Sequence, residues 1–177
     1  PEAIAAALAR AARGTDLVLT TGGVSAGEAD LLPALIERLG RIGFWKVRMR
    51  PGMPVLFGEL YGTPVFALPG NPVSVFATYL MLVEPAIDTL LGARTRREVV
   101  AARLLHAAEK RHDRLEFRRA SLSVDAGGVM RADLHATLSS GALRSVVDSD
   151  GLAELAAEAS RFEAGDVVRV HRFRRGA

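Results

Sequence analysis

The segment "TTGGVSAGEAD" (residues 20–30) follows the apolar run "DLVL" and packs Thr21, Gly22, Gly23 and Ser25 beside the acids Glu28 and Asp30. Without a Cβ, Gly22 and Gly23 let the backbone approach a phosphate, and the N–H groups at a helix start add partial positive charge. Thr21 and Ser25 supply hydroxyl donors. The same residues also read as a plain strand-to-helix turn. Ser25 and Glu28 have capping-box spacing, and Asp30 sits one turn into the helix, where the dipole favours an acid. The two readings coexist, because Ser25 can cap while the glycines bind.

A second constellation is "WKVRMRPG" (45–52). On a continuous strand Lys46, Arg48 and Arg50 share one face, with Trp45, Val47 and Met49 on the other. That ribbon either attracts anions or forms a solvated edge strand whose charges deter aggregation. The third is "LPGNPVS" (68–74). Pro69 and Pro72 stiffen a turn around Gly70 and Asn71 and aim a helix N-terminus outward, with Ser74 in its first turn. An ordinary rigid turn with an Asn cap accounts for it equally well. His106, His112, His135 and His171 show no metal-ligand spacing and read as structural or surface residues. Asp148 and Asp150 lack the rest of a calcium-loop pattern and read as a turn.

The elements that must position these groups follow from periodicity. Residues 2–12 form an amphipathic helix with Ile4 and Leu8 at helical spacing, closed near Gly14. Residues 16–20 form a buried-type strand. A helix starts at Ser25, carries the stripe Leu31, Leu32, Leu35, Ile36 and Leu39, and ends at Gly40. Strands follow at 43–49, 54–60 and 64–68, with a hairpin turn at 61–63. Asn71 caps a long helix with Pro72 at its first position and a break near Pro85; its Phe76, Leu80 and Val83 are core. Beyond Gly92 the texture becomes short and β-like, with turns at 125–128 and 163–166. Residues 152–160 are ambiguous: helical by propensity, strand by context. Alternating strands and helices imply an α/β layer structure over residues 1–93. A charged link at about 92–97 precedes a small all-β domain at 98–177.

Bulk properties narrow the classes. The 177 residues are 49% hydrophobic, enough for a real core. A net charge of +3 lacks the dense basic face of a nucleic-acid binder. There are no cysteines, which excludes disulfides and thiolate chemistry and fits a reducing cytoplasm. No apolar run is expected to reach a membrane span, and the N-terminus does not read as a signal peptide. The absence of an initiator Met suggests a fragment or a processed chain.

In order and spacing, "TTGGVSAGEAD", "FWKVRMRPGMPVLFG" and "LPGNPVS" closely resemble the molybdopterin molybdenumtransferase family, and "RLEFRRASL" resembles that family's C-terminal β domain. The resemblance implies a three-layer molybdopterin-binding-like α/β domain, incomplete at its N-terminus, followed by the β domain. It implies that molybdate displaces the nucleotide of adenylylated molybdopterin, releasing AMP. It places Asp30, with a bridging Mg²⁺, beside the phosphoanhydride, and Lys46 and Arg50 as the fixed cations for molybdate. Thr21, Gly22, Gly23, Ser25, Glu28, Pro69, Gly70, Asn71, Pro72 and Ser74 are implied to hold the pterin nucleotide, and Arg114, Arg119 and Ser140 to contribute an anion pocket. Arg118 is expected to be a surface arginine. Three departures stand out: Arg50 and Met53 stand where family members often have lysine, Arg50 keeping the charge and Met53 losing it, and Leu138 stands where a glutamine is expected. Family members commonly form homodimers, and contact with the pterin adenylyltransferase is a further implied partnership. The 177 residues alone are expected to be inactive. Pterin adenylyltransferase activity and a non-catalytic scaffold role remain as alternatives.

Overall fold

The structure, a computed structural model, describes residues 2–24, 31–93, 97–135 and 144–173. By its contacts the chain forms two units, residues 1–48 with 52–86, and residues 49–51 with 87–177.

The first unit is an α/β sandwich. Its sheet has the order β1-β5-β4-β2, built from β1 (Val18–Thr21), β5 (Thr63–Leu68), β4 (Leu56–Leu60) and β2 (Gly40–Trp45). β1 and β5 run parallel, with Thr21 opposite Leu68. The β4–β5 hairpin turns at Tyr61 and Gly62, both at positive φ, matching the right-handed twist of its strands. Alternation along β5 sends Val65 and Ala67 into a core with Ala5, Leu8 and Ala12 of α1 (Glu2–Gly14) and Leu32, Leu35 and Ile36 of α2 (Leu32–Leu39). Phe66 and Leu68 are also buried, and α3 (Pro72–Thr78) packs on β5, completing three layers.

Three sequence expectations change here. The described part of the second helix begins at Leu32 rather than Ser25, with Leu31 at its N-cap and no side-chain cap. Pro33 therefore takes an early position, where its missing N–H costs nothing. Residues 25–30, with Ser25, Glu28 and Asp30, lie outside the described residues. The strand expected over 43–49 stops at Trp45 because Lys46 adopts φ 67°. Finally, the segment Pro72–Leu90, 19 residues with mean hydropathy 1.4, is long and apolar enough to cross a membrane by length and composition, contrary to expectation. It runs as α3, a π-helical stretch (Tyr79–Val83) and α4 (Glu84–Leu90). The Glu84 N–H bonds to the Tyr79 carbonyl, five residues back, next to Pro85, which has no N–H to continue the α pattern.

The second unit is a small barrel. β10 (Gly151–Leu155), β12 (Val167–Arg172), β6 (Val99–Leu104), β9 (Met130–Leu134) and β8 (Leu115–Val124) pair in that order, and β8 pairs again with β10. The two-residue β3 (Met49–Arg50) joins β8 in parallel. Small side chains line the interior, including Ala102, Ala120, Ala132 and Ala153, with Leu104, Leu155 and Val170. The ambiguous stretch at 152–160 starts as β10, so strand pairing on both sides overrides its alanine-rich helix propensity. β7 (Ala108–Glu109) and β11 (Arg161–Phe162) form a separate two-stranded sheet, and α5 (Arg144–Val147) precedes β10.

Candidate functional site

In the first unit, two of the three sequence constellations meet. Because β1 and β5 are parallel neighbours, their C-terminal ends lie side by side. The Gly22 N–H donates to the Leu68 carbonyl at 3.0 Å, and a Cβ on Gly70 would lie 3.5 Å from the Gly22 Cα. The turns "TGG" and "PGN" thus form one backbone surface beyond the carboxyl ends of parallel strands, where open α/β sheets take ligands. Gly22 and Gly23 have φ of 82° and 68°. A Cβ on Gly22 would meet nothing within 4 Å, so conformation, not space, requires the glycine there. That open side is what an approaching anion needs. Thr21 is exposed at the rim.

Across the junction, Asn71 caps the helix as expected. Its Oδ1 accepts from the Val73 N–H at 3.1 Å and the Ser74 N–H at 3.4 Å. Pro72 stands at the first helical position. Pro69 is buried and anchors the turn, Gly70 is exposed, and Ser74 is buried in the first turn.

The basic ribbon does not form. Lys46 belongs to the first unit and Arg50 to the second. Lys46, at positive φ, is held by its N–H bond to the Val55 carbonyl at 2.9 Å, and its ammonium lies 4.5 Å from the centroid of the Trp45 ring. The even spacing of 46, 48 and 50 placed them on one face only if the strand ran through, and the left-handed residue at 46 breaks that alternation.

In the second unit, Arg50 opposes Glu116 in the β3–β8 register. It lines a cavity of about 390 Å³ with Glu109, Lys110, Arg111, His112, Glu116 and Arg118. Glu116 is 3% exposed and accepts from Arg118 Nε at 2.9 Å. Arg118 also donates to the Glu109 carbonyl. Arg118 is therefore a largely buried ion-pair partner, not the surface arginine its sequence context suggested. Lys110 Nζ donates to the carbonyls of Ala157, Arg114 and His112 at 2.8, 3.1 and 3.3 Å, so this buried ammonium is solvated by backbone. His112 Nδ1 accepts from the Arg114 N–H at 3.3 Å, which puts the proton of the neutral ring on Nε2. That nitrogen lies 3.2 Å from Glu116 Oε2 but off line for a hydrogen bond. Burial lowers the His112 pKa below its ordinary value; Glu116 opposes the shift, while Arg114, Arg50 and Lys110 add to it. Burial likewise lowers that of Arg119, which is buried on β8 opposite Leu152. Arg114 sits just before β8. Ser140 lies outside the described residues, as does Leu138.

Sequence reasoning missed the Glu116–Arg118–His112 cluster, although an acid four residues after His112 and two before Arg118 was visible. Among the described residues, no group of three or more His, Asp and Glu residues could hold a metal ion.

Residues 1–89 match the family described as a probable molybdopterin binding domain, and residues 101–173 match the MoeA C-terminal region, domain IV. The chain is 34% identical over 160 residues to a molybdopterin molybdenumtransferase of Haemophilus influenzae, covering 89% of this chain and 40% of that protein. It is 32% identical over 134 residues to gephyrin of Dictyostelium discoideum, covering 63% of this chain and 19% of that protein. A crystal structure of a molybdopterin biosynthesis MoeA protein from Pyrococcus horikosii superposes with a TM-score of 0.81 at 30% identity, over 99% of this chain and 41% of that one. The chain thus spans about 40% of the length of the first of these relatives.

Proposed function

The chain belongs to the molybdopterin molybdenumtransferase family, and on that premise we propose that it carries the nucleotide-binding part of an enzyme that inserts molybdenum into adenylylated molybdopterin. Molybdate is the second substrate and AMP the leaving product. The observation that supports this reading best is the junction of the Gly22 and Gly70 turns at the ends of two parallel strands.

Each group has a task in that reaction. The Gly22 N–H is spent on the Leu68 carbonyl, which fixes the turn; the Gly23 N–H receives a phosphate oxygen, a fixed dipole that needs no reorganisation as the phosphoanhydride breaks. Asn71 consumes two of the amides at the start of α3 and so fixes the shape of the second turn. Lys46, in the same unit as the glycine turns, raises the local concentration of molybdate by charge. The molybdenum of molybdate binds the two dithiolene sulfurs and gives up one oxo group, which leaves with the two thiol protons as water. A water oxygen adds to the nucleotide phosphorus, the P–O–P link breaks, AMP departs with that oxygen, and the pterin keeps its phosphate. The expected divalent ion finds no fitting donor set among the described residues, so no step is routed through Mg²⁺. Its proposed ligand, Asp30, lies outside them. A homodimer of the full protein is part of the same proposal.

The test is to mix the full-length protein with adenylylated molybdopterin, Mg²⁺ and molybdate and to follow AMP. Molybdate-dependent AMP release is expected, and Gly22→Ala should slow it at least tenfold by straining the turn. AMP release that ignores molybdate, or formation of the adenylylated pterin from ATP, would replace this reading.

A further inference from the structure

Trp45 lies outside every group assigned so far, yet it touches two of them. Its indole Nε1–H donates to the Val24 carbonyl at 3.0 Å. Val24 directly follows Gly22 and Gly23, and it is 1% exposed. The face of the same ring carries the Lys46 ammonium, 4.5 Å from its centroid. Lys46 follows Trp45 in sequence, and its φ of 67° turns the chain at that point.

From this geometry we infer that Trp45 is a positioning residue: one indole pins the glycine turn through its N–H and holds the Lys46 ammonium on its π face. The glycine turn needs such a clamp. Two consecutive glycines at positive φ have large conformational freedom, and each amide they aim at a ligand loses affinity if the turn wanders. Among the described residues, the turn's backbone bonds are Gly22 N–H to the Leu68 carbonyl and Leu32 N–H to the Gly23 carbonyl, at 3.0 and 3.1 Å. The indole bond adds a tie from a different strand, β2, at the far edge of the sheet from β1. The lysine needs holding as well, because a four-carbon stem is otherwise free to sample many rotamers. An indole offers the strongest cation–π face of the aromatic side chains. Trp45 remains 38% exposed, so the pair faces solvent, where an anionic ligand would arrive.

The inference rests on the nucleotide-cradle reading above and is tested with two readouts that fail separately. Trp45 is the single tryptophan of the chain, so its emission reports this site alone. Trp45→Phe keeps an aromatic face for Lys46 but removes the N–H. Replacing the tryptophan biosynthetically by its benzothiophene analogue removes the N–H at nearly constant shape, which covers the case in which Trp45→Phe folds poorly. For each protein, amide exchange at Gly22 and Leu32 and AMP affinity by calorimetry are measured. We expect exchange at both amides to rise about tenfold, AMP affinity to fall about tenfold, and AMP to quench Trp45 emission saturably in the parent. Unchanged exchange at Gly22 and Leu32 would overturn the clamp, whatever AMP does. Faster exchange with AMP binding absent or unaltered would leave the clamp without a cradle to position, and the inference would fall together with the reading beneath it.

Discussion

Lys46 is the residue where backbone and chemistry are in conflict. A non-glycine side chain in the left-handed region costs about 1 kcal/mol, and at φ 67° Lys46 bears that cost. Lys46→Gly relieves it but loses a cation–π contact worth about 0.5–1 kcal/mol at an exposed site. The two nearly cancel, so urea unfolding should stay within about 1 kcal/mol of the parent while molybdate and AMP affinities fall several-fold. A stability loss above roughly 2 kcal/mol would show that the lysine serves the fold and not a ligand. His112 gives a pH signature. Its folded pKa lies below the ordinary value of 6.5, chiefly through burial. The unfolded chain therefore binds the proton more readily. The stability this contributes is fully present above pH 6.5 and declines as pH falls from there toward the folded pKa. Melting at pH 7.5 and 5.5 should show a smaller acid-side loss in His112→Gln than in the parent. Lys46 and Arg50 were legible as cations, but their assignment to different units was not. Alternation assumes an unbroken strand, and nothing in "WKVR" marks a left-handed residue.

At the scale of elements, the helix at Pro72 is the most fully specified piece. Asn71 accepts two amide bonds and Pro72 occupies the first position. Asn71→Ala should cost about 1 kcal/mol in denaturant unfolding and should also weaken AMP binding, since the cap holds the second turn. Retained affinity with the full stability loss would mean the cap serves the helix alone. The cap, the proline and the two flanking strands were readable because local chemistry fixes them. The barrel strand β10 was not. Its "GLAEL" sequence has no β-branched residue, and only pairing with β8 and β12 on either side makes it a strand. Glu116 and Arg118 show the same limit: strand alternation puts them on one face, but burial of the pair depends on residues 109–112 lining the same cavity, a local fold-back that spacing alone does not show. Glu116→Gln should destabilise the second unit by about 3 kcal/mol, because the largely buried Arg118 charge would lose its carboxylate and keep only the neutral Glu109 carbonyl. Calorimetric melting of the variant checks this, and a loss under about 1 kcal/mol would mean that water reaches the guanidinium.

For the whole molecule, the order of motifs carried more information than any one of them. "TTGG" and "PGNP" are separated by some fifty residues, and either alone describes an ordinary turn. Parallel pairing of β1 with β5 is what brings Gly22 against Gly70, and that pairing follows from an α/β alternation the sequence displays. The division of labour between units was less legible, since Met49–Pro51 lies within the first unit's sequence but pairs with the second. The central claim is that the two glycine turns form one seat for a phosphate. Crystals of the chain soaked with AMP test it most directly. The account predicts phosphate density within hydrogen-bond distance of the Gly23 backbone amide. Phosphate bound elsewhere, with that turn bare at saturating AMP, would contradict it.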